Sequence, residues 1–506
     1  MKISLILSLL GGLALSGIAE ELLYSNSFTT PREVEPYVRR GIRFAPGEDG
    51  RGAIRFESDT VRDTWLNIPV DPVKARGRAV QLEAEMRGEN IAVPSPAYLG
   101  PKLMLGIATP TGGSHAEQEK QFGTFGWRKF HTYAKIPPDA TGLTLSIGLQ
   151  NTKGALEMRN VKIILLPAEG LDRFTPPPGR LQAIPKYRGA MAGPRLTADD
   201  IRDFSEKFGG NLLRWQLLRE RSEDIAGPEK FNAWLDRKIA AIDAIMPALE
   251  KYGVKIVIDL HTGPGMTQNA LLSNQLSWDQ ESQALLVSGW EKLARHFNGN
   301  PMIYGYDLLN EPREDGYRYT PDGGLDWNRL AARTAHAIRA IDKTTPIIIE
   351  PAQWGSVAGL KTFMPVNVDN VIYSIHFYSP HEFTHQGIGK SRKTGIRYPG
   401  MINGKEWNKE AIRSSLLPAR EFQLKYNVPI FVGEFSAIAW APGAAQYIED
   451  CISIFEEFGW DWTYHAFREW SGWSVEHGGT FENQTKVENS DRKQVLRKYY
   501  HLNSGN

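Results

Sequence analysis

The chain has 506 residues, of which 41% are hydrophobic and 23% are charged, and its formal net charge is +1. This composition is typical of a globular protein with enough apolar material for two or three domains. The near-neutral charge, with no block of like charges, argues against nucleic acid or an anionic membrane surface as a partner. A neutral ligand is expected instead.

The N-terminal stretch MKISLILSLLGGLALSGIAEE is typical of a secretory signal peptide. Lys2 precedes a short apolar run, and Gly17-Ile18-Ala19 forms a small-residue cleavage site. A membrane anchor is the alternative, but the run is short for one and no basic stop-transfer flank follows. We therefore expect residues 1–19 to be cleaved and the mature chain to be secreted, either outside the cell or into a periplasm. No later stretch has the about 20 apolar residues of a membrane span.

Residues 20–167 show hydrophobic alternation with period two. It is clearest in VQLEAEMR at 80–87 and LTLSIGLQ at 143–150, and turns bearing glycine and proline separate such runs. The pattern predicts an all-β domain, an antiparallel sandwich. Residues 168–184 are proline-rich without periodicity and predict a semi-rigid linker.

From residue 185 to 506 short apolar runs alternate with amphipathic helical patterns. VKIVIDLHT, MIYGYDLLNEP, VIYSIHFYSP and VPIFVGEFS belong to eight candidate strands in this region. Repetition of this number and length predicts a (β/α)8 TIM barrel. A doubly wound open sheet is the alternative, but it calls for a glycine-rich phosphate turn after the first strand, and GAMAGPRLT is not one.

Polar or aromatic residues recur at the ends of the predicted barrel strands, where the reacting groups of such barrels lie. A single residue of this kind is more often structural, but repetition over several strands indicates a site. The residues are Arg214, Asp259, His261, Asn310, Glu311, Trp354, His376, Tyr378 and Glu434.

Glu311 and Glu434 carry the predicted chemistry. Each follows an apolar strand, and two carboxyl groups facing one another across a barrel mouth are the equipment of glycoside hydrolysis. One must begin protonated and the other ionised. Arg214 and Tyr378 are candidates to favour the ionised form of Glu434, whereas the sequence motif around Glu311 holds no cation, which suits an acid.

Five ordered motifs resemble glycoside hydrolase family 5, the cellulase family of clan A. They are NLLRWQ, DLHTGPG, LLNEP, HFY and VGEFS, and the resemblance spans about residues 185–500. It implies that Glu311 is the general acid/base and Glu434 the nucleophile of a retaining, two-step reaction. It also implies that Asn310 bonds the sugar 2-hydroxyl.

The same resemblance assigns supporting roles and shows one departure. Tyr378 and Arg214 would orient the nucleophile, and His261 and His376 would line the subsite at the cleavage point. The family places a tryptophan platform on the eighth strand, where this sequence has His465 in WDWTYHAF. We expect His465 to contact substrate and Trp470 to serve as the compensating platform.

The resemblance implies a β-1,4-glucan-type polysaccharide or oligosaccharide as substrate, cleaved in the manner of an endoglucanase. A β-mannanase and an exo-acting β-glucosidase or glucosylceramidase are the alternatives. The two-carboxylate mechanism requires no cofactor and no metal, and we expect a monomer. The N-terminal domain resembles the jelly-roll modules of secreted glycanases. Trp65, Tyr98 and Trp127 could bind sugar there, or these rings could fill its core.

Two other functions are consistent with parts of the sequence. HEFTH at 381–385 fits the H-E-x-x-H pattern of zinc proteases, which needs both histidines on one face of a helix. Pro380 before it and Gln386-Gly387 after it indicate a loop instead. A non-catalytic carbohydrate-binding protein is the second alternative, and the presence of both glutamates argues against it.

Overall fold

The computed structural model describes residues 21–47, 50–118, 120–265, 280–313, 326–388 and 393–505. The expected signal peptide, residues 1–19, lies outside the described residues. The chain divides into two compact units, Met1–Pro167 and Ala168–Asn506. Within the described residues, no helix combines the length and the apolarity that crossing a bilayer demands.

The first unit consists of antiparallel strands and one short helix. Every second side chain along much of β4 (Ala79–Ile91) is buried, and Val80, Leu82 and Met86 have no exposed surface. The longest strand, β8, pairs with β1, β3, β4 and β5 and so connects the sheet. The assignment to the sandwich class stays a prediction. The elements are β1 Glu21–Asn26, α1 Pro31–Val34, β2 Ile42–Ala45, β3 Ala53–Val70, β4 Ala79–Ile91, β5 Gly100–Thr109, β6 Gly112–Glu117, β7 Gly123–Lys135 and β8 Gly142–Leu165.

The second unit contains eight strands that pair into a closed barrel, in the order β10-β11-β12-β13-β14-β17-β18-β9, with parallel neighbours. The predicted (β/α)8 barrel is thereby confirmed. Two small hairpins, β15–β16 and β19–β20, accompany it. The strands are β9 Arg188–Ala192, β10 Leu212–Gln216, β11 Lys255–Asp259, β12 Ile303–Asp307, β13 Ile347–Ile349, β14 Val371–Phe377, β15 Gly400–Ile402, β16 Lys405–Trp407, β17 Ile430–Phe435, β18 Asp461–Phe467, β19 His477–Gly479 and β20 Gln484–Lys486.

Amphipathic helices connect the barrel strands. In α8, Tyr447, Ile448 and Cys451 are buried in the core shared with the strands, as the helical spacing of its apolar residues requires. The helices are α2 Ala198–Asp203, α3 Gly227–Tyr252, α4 Gln280–Phe297, α5 Trp327–Ile341, α6 His381–Thr384, α7 Lys409–Tyr426, α8 Ala444–Phe458 and α9 Asp491–Tyr500.

The proline-rich segment 168–184 lies against the barrel within the second unit. Asn427 donates its amide hydrogens to the carbonyls of Pro177 and Gly179, and Gln182 donates to the carbonyl of Gly459. Proline has no N–H but keeps its carbonyl oxygen, so the amide of Asn427 can donate to Pro177, and Gln182 of the segment donates in the other direction. The segment predicted as a linker is therefore attached to the barrel by specific contacts.

Candidate active site

Glu311 is held in an unusual backbone conformation just after β12. Its φ is +46°, a left-handed value that is uncommon outside glycine. The backbone N–H of Glu311 donates to Glu350 Oε2 at 2.8 Å, and Glu350 follows β13 directly and is fully buried. Glu350 thus fixes the turn that presents the Glu311 carboxyl group.

Glu434 lies within β17, with its two carboxyl oxygens bound separately. Arg214 Nη1 donates to Oε1 at 2.8 Å, and the Tyr378 hydroxyl donates to Oε2 at 2.8 Å. Burial by itself would raise the pKa of Glu434, but the positive charges of His376, His465 and Arg214 outweigh burial and hold that pKa well below its ordinary value. Glu434 is therefore an ionised carboxylate.

Arg214 is the fully buried cation at the centre of the site, on β10. Its guanidinium donates to Asp307 at 2.8 Å, to Glu350 at 2.8 Å and to Asn310 Oδ1 at 3.0 Å, besides Glu434. Burial opposes its charge, but the surrounding carboxylates, with Asp259 and Asp307 foremost, raise the pKa of Arg214 well above normal. Arg214 is a fixed charge that orients the nucleophile and the Asn310 amide together.

The carboxylates around Arg214 exceed the charge that it supplies. Asp259 Oδ1 lies 3.2 Å from its Nη2 and adds to the three carboxylates already named. Burial, reinforced by the charges of Glu350 and Asp259, raises the pKa of Asp307 well above its ordinary value in spite of Arg214. Arg214 alone therefore does not neutralise the acidic side chains that surround it.

His376 supplies the cation beside Glu311 that the sequence motif lacks. Its Nδ1 lies 3.0 Å from Glu311 Oε1, and its Nε2 lies 3.1 Å from Glu350 Oε1. Burial would lower the pKa of His376, but the charges of Glu350 and Glu434 raise it well above the ordinary value. The LLNEP motif around Glu311 contains no cation, but in the folded barrel His376 on β14 lies beside Glu311 and provides one.

The two glutamates approach closely. Glu311, His376 and Glu434 each place one polar atom within 4.8 Å of the others, the one such group of three acidic, histidine or cysteine residues among those described. Both oxygens of Glu434 already bind Arg214 and Tyr378, and the guanidinium charge repels a cation. The arrangement is that of paired carboxylates and not of a metal site.

His261 and His465, also expected in the site, contact side chains that surround Arg214 and Glu434. His261 Nδ1 bonds Asp259 Oδ2 at 2.8 Å, and this carboxylate raises the pKa of His261 against the opposing effect of burial. His465 Nδ1 lies 2.6 Å from the Tyr378 hydroxyl. The structure thus brings His465 into the surroundings of the nucleophile.

Trp470 lies further out than His465. The His465 ring stacks on Trp473, with centroids 5.2 Å apart and planes at 29°, and Trp470 packs edge-on against Trp473 at 6.1 Å. Trp470 is 39% exposed and is connected to the site through Trp473. Its ring is partly exposed to solvent, while Trp473 supports the imidazole.

Sequence reasoning did not select Glu350, Asp307 and Glu469. Glu350 and Asp307 bond Arg214, and Glu469 Oε2 lies 3.5 Å from His465 Nε2. Each is an acidic residue in or just after an apolar strand. The same sequence pattern identifies Glu311. The clearest was Glu350, which directly follows Ile347–Ile349.

The HEFTH motif forms a single helical turn, α6, after β14. The rings of His381 and His385 stack face to face, with centroids 4.0 Å apart and planes at 10°, and His385 also packs against Tyr378 and Trp473. Burial lowers the pKa of His385 to about 3, and His381 and His465 contribute. The histidine pair packs as an aromatic stack beside the site.

Comparison with known proteins places the chain. Residues 179–474 match the family model for cellulase, glycosyl hydrolase family 5. Endoglucanase C of Acetivibrio thermocellus is 30% identical over 299 residues, which are 53% of this chain and 84% of that protein. Endoglucanase 3 of Fibrobacter succinogenes is 25% identical over 265 residues, which are 46% of this chain and 39% of that protein.

Solved structures are also similar to part of the chain. Cel5A of Thermotoga maritima in complex with mannotriose has a TM-score of 0.49 and 23% identity, covering 61% of this chain and 97% of that chain. The family-model match spans more than half of the sequence and includes both glutamates. The chain therefore belongs to glycosyl hydrolase family 5, the cellulase family.

Proposed function

We propose that this protein is a retaining endo-β-1,4-glucanase. The observation that carries the proposal is the unequal pair of glutamates. Glu434 has a side chain only 6% exposed and is fixed as an anion by Arg214 and Tyr378, whereas the Glu311 side chain is 24% exposed and faces it within 4.8 Å. Such close spacing favours a covalent intermediate, because inversion needs room for a water between the carboxyl groups.

The reaction follows from these roles. Glu434 attacks the anomeric carbon while the bond to the leaving oxygen breaks, and Glu311 gives that oxygen a proton. Glu311 takes the role of the acid because Arg214 and Tyr378 bind both carboxyl oxygens of Glu434, which suits a nucleophile. Water then attacks the anomeric carbon, Glu311 takes its proton, and Glu434 leaves as a carboxylate. Asn310, oriented by Arg214, bonds the 2-hydroxyl.

The substrate assignment rests on the relatives. Those named above are endoglucanases, which favours a β-1,4-glucan over the mannan and exo-acting alternatives. In our proposal His261 and His376 line the cleavage subsite, His465 contacts the sugar there, and Trp470 offers its exposed ring further along the chain of sugars.

The anomer of the first product tests the mechanism. We expect β-configured hemiacetal ends to form first when a β-1,4-gluco-oligosaccharide is hydrolysed and followed by NMR. Glu434→Gln should lower kcat by about 10⁴-fold or more, and Glu311→Gln by about 10²- to 10⁴-fold. The exposed Glu382→Gln in HEFTH is the matched control and should hydrolyse at the native rate. Initial α product would contradict retention, and a native rate in Glu434→Gln would contradict its role.

Three further points belong to the same proposal. We propose that residues 1–19 direct secretion, that the mature chain is a monomer, and that the first unit binds the same glycan through exposed rings such as Tyr98, which is 65% exposed. Trp127 is a weaker candidate because Arg159 stacks over it at 4.2 Å. N-terminal sequencing of the exported protein tests whether residues 1–19 are removed. Light scattering tests whether the mature chain is a monomer. The glucan affinity of Tyr98→Ala tests whether the first unit binds glycan.

A further inference from the structure

The hydroxyl group of Tyr378 lies between Glu434 and His465. It is 2.8 Å from Glu434 Oε2 and 2.6 Å from His465 Nδ1. A phenol has one proton to donate, and an ionised carboxylate can only accept. Because Glu434 is ionised, Tyr378 donates to Glu434, and the close contact with His465 requires that Nδ1–H donate to the phenol oxygen.

The opposite edge of the His465 ring faces an acidic residue. Glu469 Oε2 lies 3.5 Å from His465 Nε2 and accepts a hydrogen bond from Gln216 Nε2 at 3.4 Å. The His465 side chain is 13% exposed, and Trp473 stacks beneath the ring. Four groups therefore follow one another from the cleft wall to the nucleophile, namely Glu469, His465, Tyr378 and Glu434.

Negative charge dominates the surroundings of His465. Glu434 on β17 places Oε2 3.6 Å from His465 Nδ1. Glu469, which follows β18, faces the opposite edge of the ring. The loop after β14 brings Tyr378 and His385, and the loop after β12 brings Glu311, with the Gln216 amide on β10. Burial would lower the pKa of His465, but Glu469 foremost, then Glu434 and Glu311, raise it above the ordinary value.

We propose that His465 is a positioning residue which, held as an imidazolium by Glu469, donates to Tyr378 and so directs the Tyr378 proton onto the nucleophile Glu434. This inference rests on the proposed glycosidase function. It gives the residue that replaces the family's tryptophan a role in controlling the nucleophile as well as contacting sugar. When His465 loses a proton from Nδ1, that nitrogen competes with Glu434 for the Tyr378 proton, and activity falls.

The first experiment measures the protonation of His465 directly. In ¹⁵N-histidine-labelled protein, with the signal assigned through His465→Gln, we expect both ring nitrogens to carry protons at pH 7. In Glu469→Gln the ring should lose its charge about one pH unit lower, because the carboxylate that stabilises the imidazolium is gone. A neutral His465 at pH 7 in the native protein would overturn the proposal.

The second experiment uses the pH dependence of kcat on a gluco-oligosaccharide. The alkaline limb should move to lower pH by about one unit in Glu469→Gln. Glu469 also acts on other charges, so the same change is made in a His465→Gln background, where no shift is expected. An equal shift in both backgrounds, or no shift in the single variant, would overturn the proposal.

The third measurement separates positioning from packing. His465→Phe keeps a ring over Trp473 but removes the donor, and kcat should fall about 10- to 100-fold, a larger change than any in KM from the lost sugar contact. His465→Gln can still donate to Tyr378 and should retain more activity than His465→Phe. Equal losses in the two variants would contradict the proposal. If the native chain hydrolyses no glucan, the proposed function fails, and the NMR result still decides the state of His465.

Discussion

Each unit of the molecule contains an arginine surrounded by acidic side chains, and the two clusters differ in their charge balance. In the first unit Arg55 on β3 bonds Glu57, Glu89 and Glu157 at 2.7–2.8 Å. Arg43 and Arg87 bond Glu57 and Glu157 in turn, so this strand cluster has three cations and three carboxylates. Its charges cancel across neighbouring strands.

The barrel cluster around Arg214 is not balanced. One guanidinium meets Asp259, Asp307, Glu350 and Glu434, and every side chain except Glu434 is fully buried. The strand cluster is partly exposed to solvent, and the Glu89 side chain is 43% exposed. Balanced, partly exposed charge therefore joins strands, whereas the buried carboxyl groups around Arg214 raise the pKa values of Asp307 and His376. Fixed charges that shift pKa values in this way are typical of sites of acid–base catalysis.

Arg214→Met should have the largest effect. It removes the buried guanidinium that Asp259, Asp307, Glu350 and Glu434 share and should lower the free energy of unfolding by about 3–5 kcal/mol, besides reducing kcat severely. Carboxylates without a cation bind protons more readily folded than unfolded, so the stability lost relative to the native chain should shrink as pH falls from 7 towards 4. Urea titrations at several pH values measure this. A pH-independent loss would contradict the charge argument.

Glu350→Gln should have the next largest effect. The amide oxygen of Gln can still accept the Glu311 N–H, but the charge that Arg214 and His376 share is gone. We expect kcat to fall about 100-fold through misplacement of Glu311, with KM changing less.

Gly355→Ala tests the same carboxylate sterically. A Cβ at Gly355 would lie 2.5 Å from Glu350 Oε2, and the φ of Gly355 is +62°. A similar loss of kcat in this variant would support positioning by Glu350. Native kcat in both variants would contradict it.

The sequence pattern predicted the barrel and most residues of the site. This was possible because the ends of parallel barrel strands lie together at one end of the barrel, independently of the conformation of the loops. Arg214, His376, Tyr378 and Glu434 lie where the strand pattern put them. The positive φ of Glu311 and the role of Glu350 could not be read from it, since both depend on contacts between β12 and β13. The charge imbalance around Arg214 likewise appears only when four strands are brought together.

Arg55→Met should have a modest effect on stability and none on catalysis. Two of its three carboxylate partners, Glu57 and Glu157, keep Arg43 and Arg87, and the third, Glu89, is 43% exposed, so we expect a loss of about 1 kcal/mol. Lysine at this position would restore charge without the fork that reaches three partners. A loss as large as that of Arg214→Met would mean that burial, not charge balance, separates the two clusters.

Glu57→Gln should have the smallest effect, and its pH dependence carries the information. Hydrogen bonds from Arg43 and Arg55 lower the pKa of Glu57 from 4.5 to about 2. The unfolded chain therefore binds a proton more readily between these values, and the stabilisation by Glu57 is complete above pH 4.5 and lost as pH falls to about 2. The side chain is 36% exposed, so solvent screening keeps the contribution below about 1 kcal/mol. Native protein and Glu57→Gln should differ in free energy of unfolding at pH 6 and converge near pH 2. The deficit of Arg214→Met also shrinks as pH falls, but for the opposite reason. Loss of the guanidinium raises the pKa values of buried carboxyl groups, which then bind protons in the folded chain, whereas two arginines lower the pKa of Glu57, so that it binds its proton first in the unfolded chain.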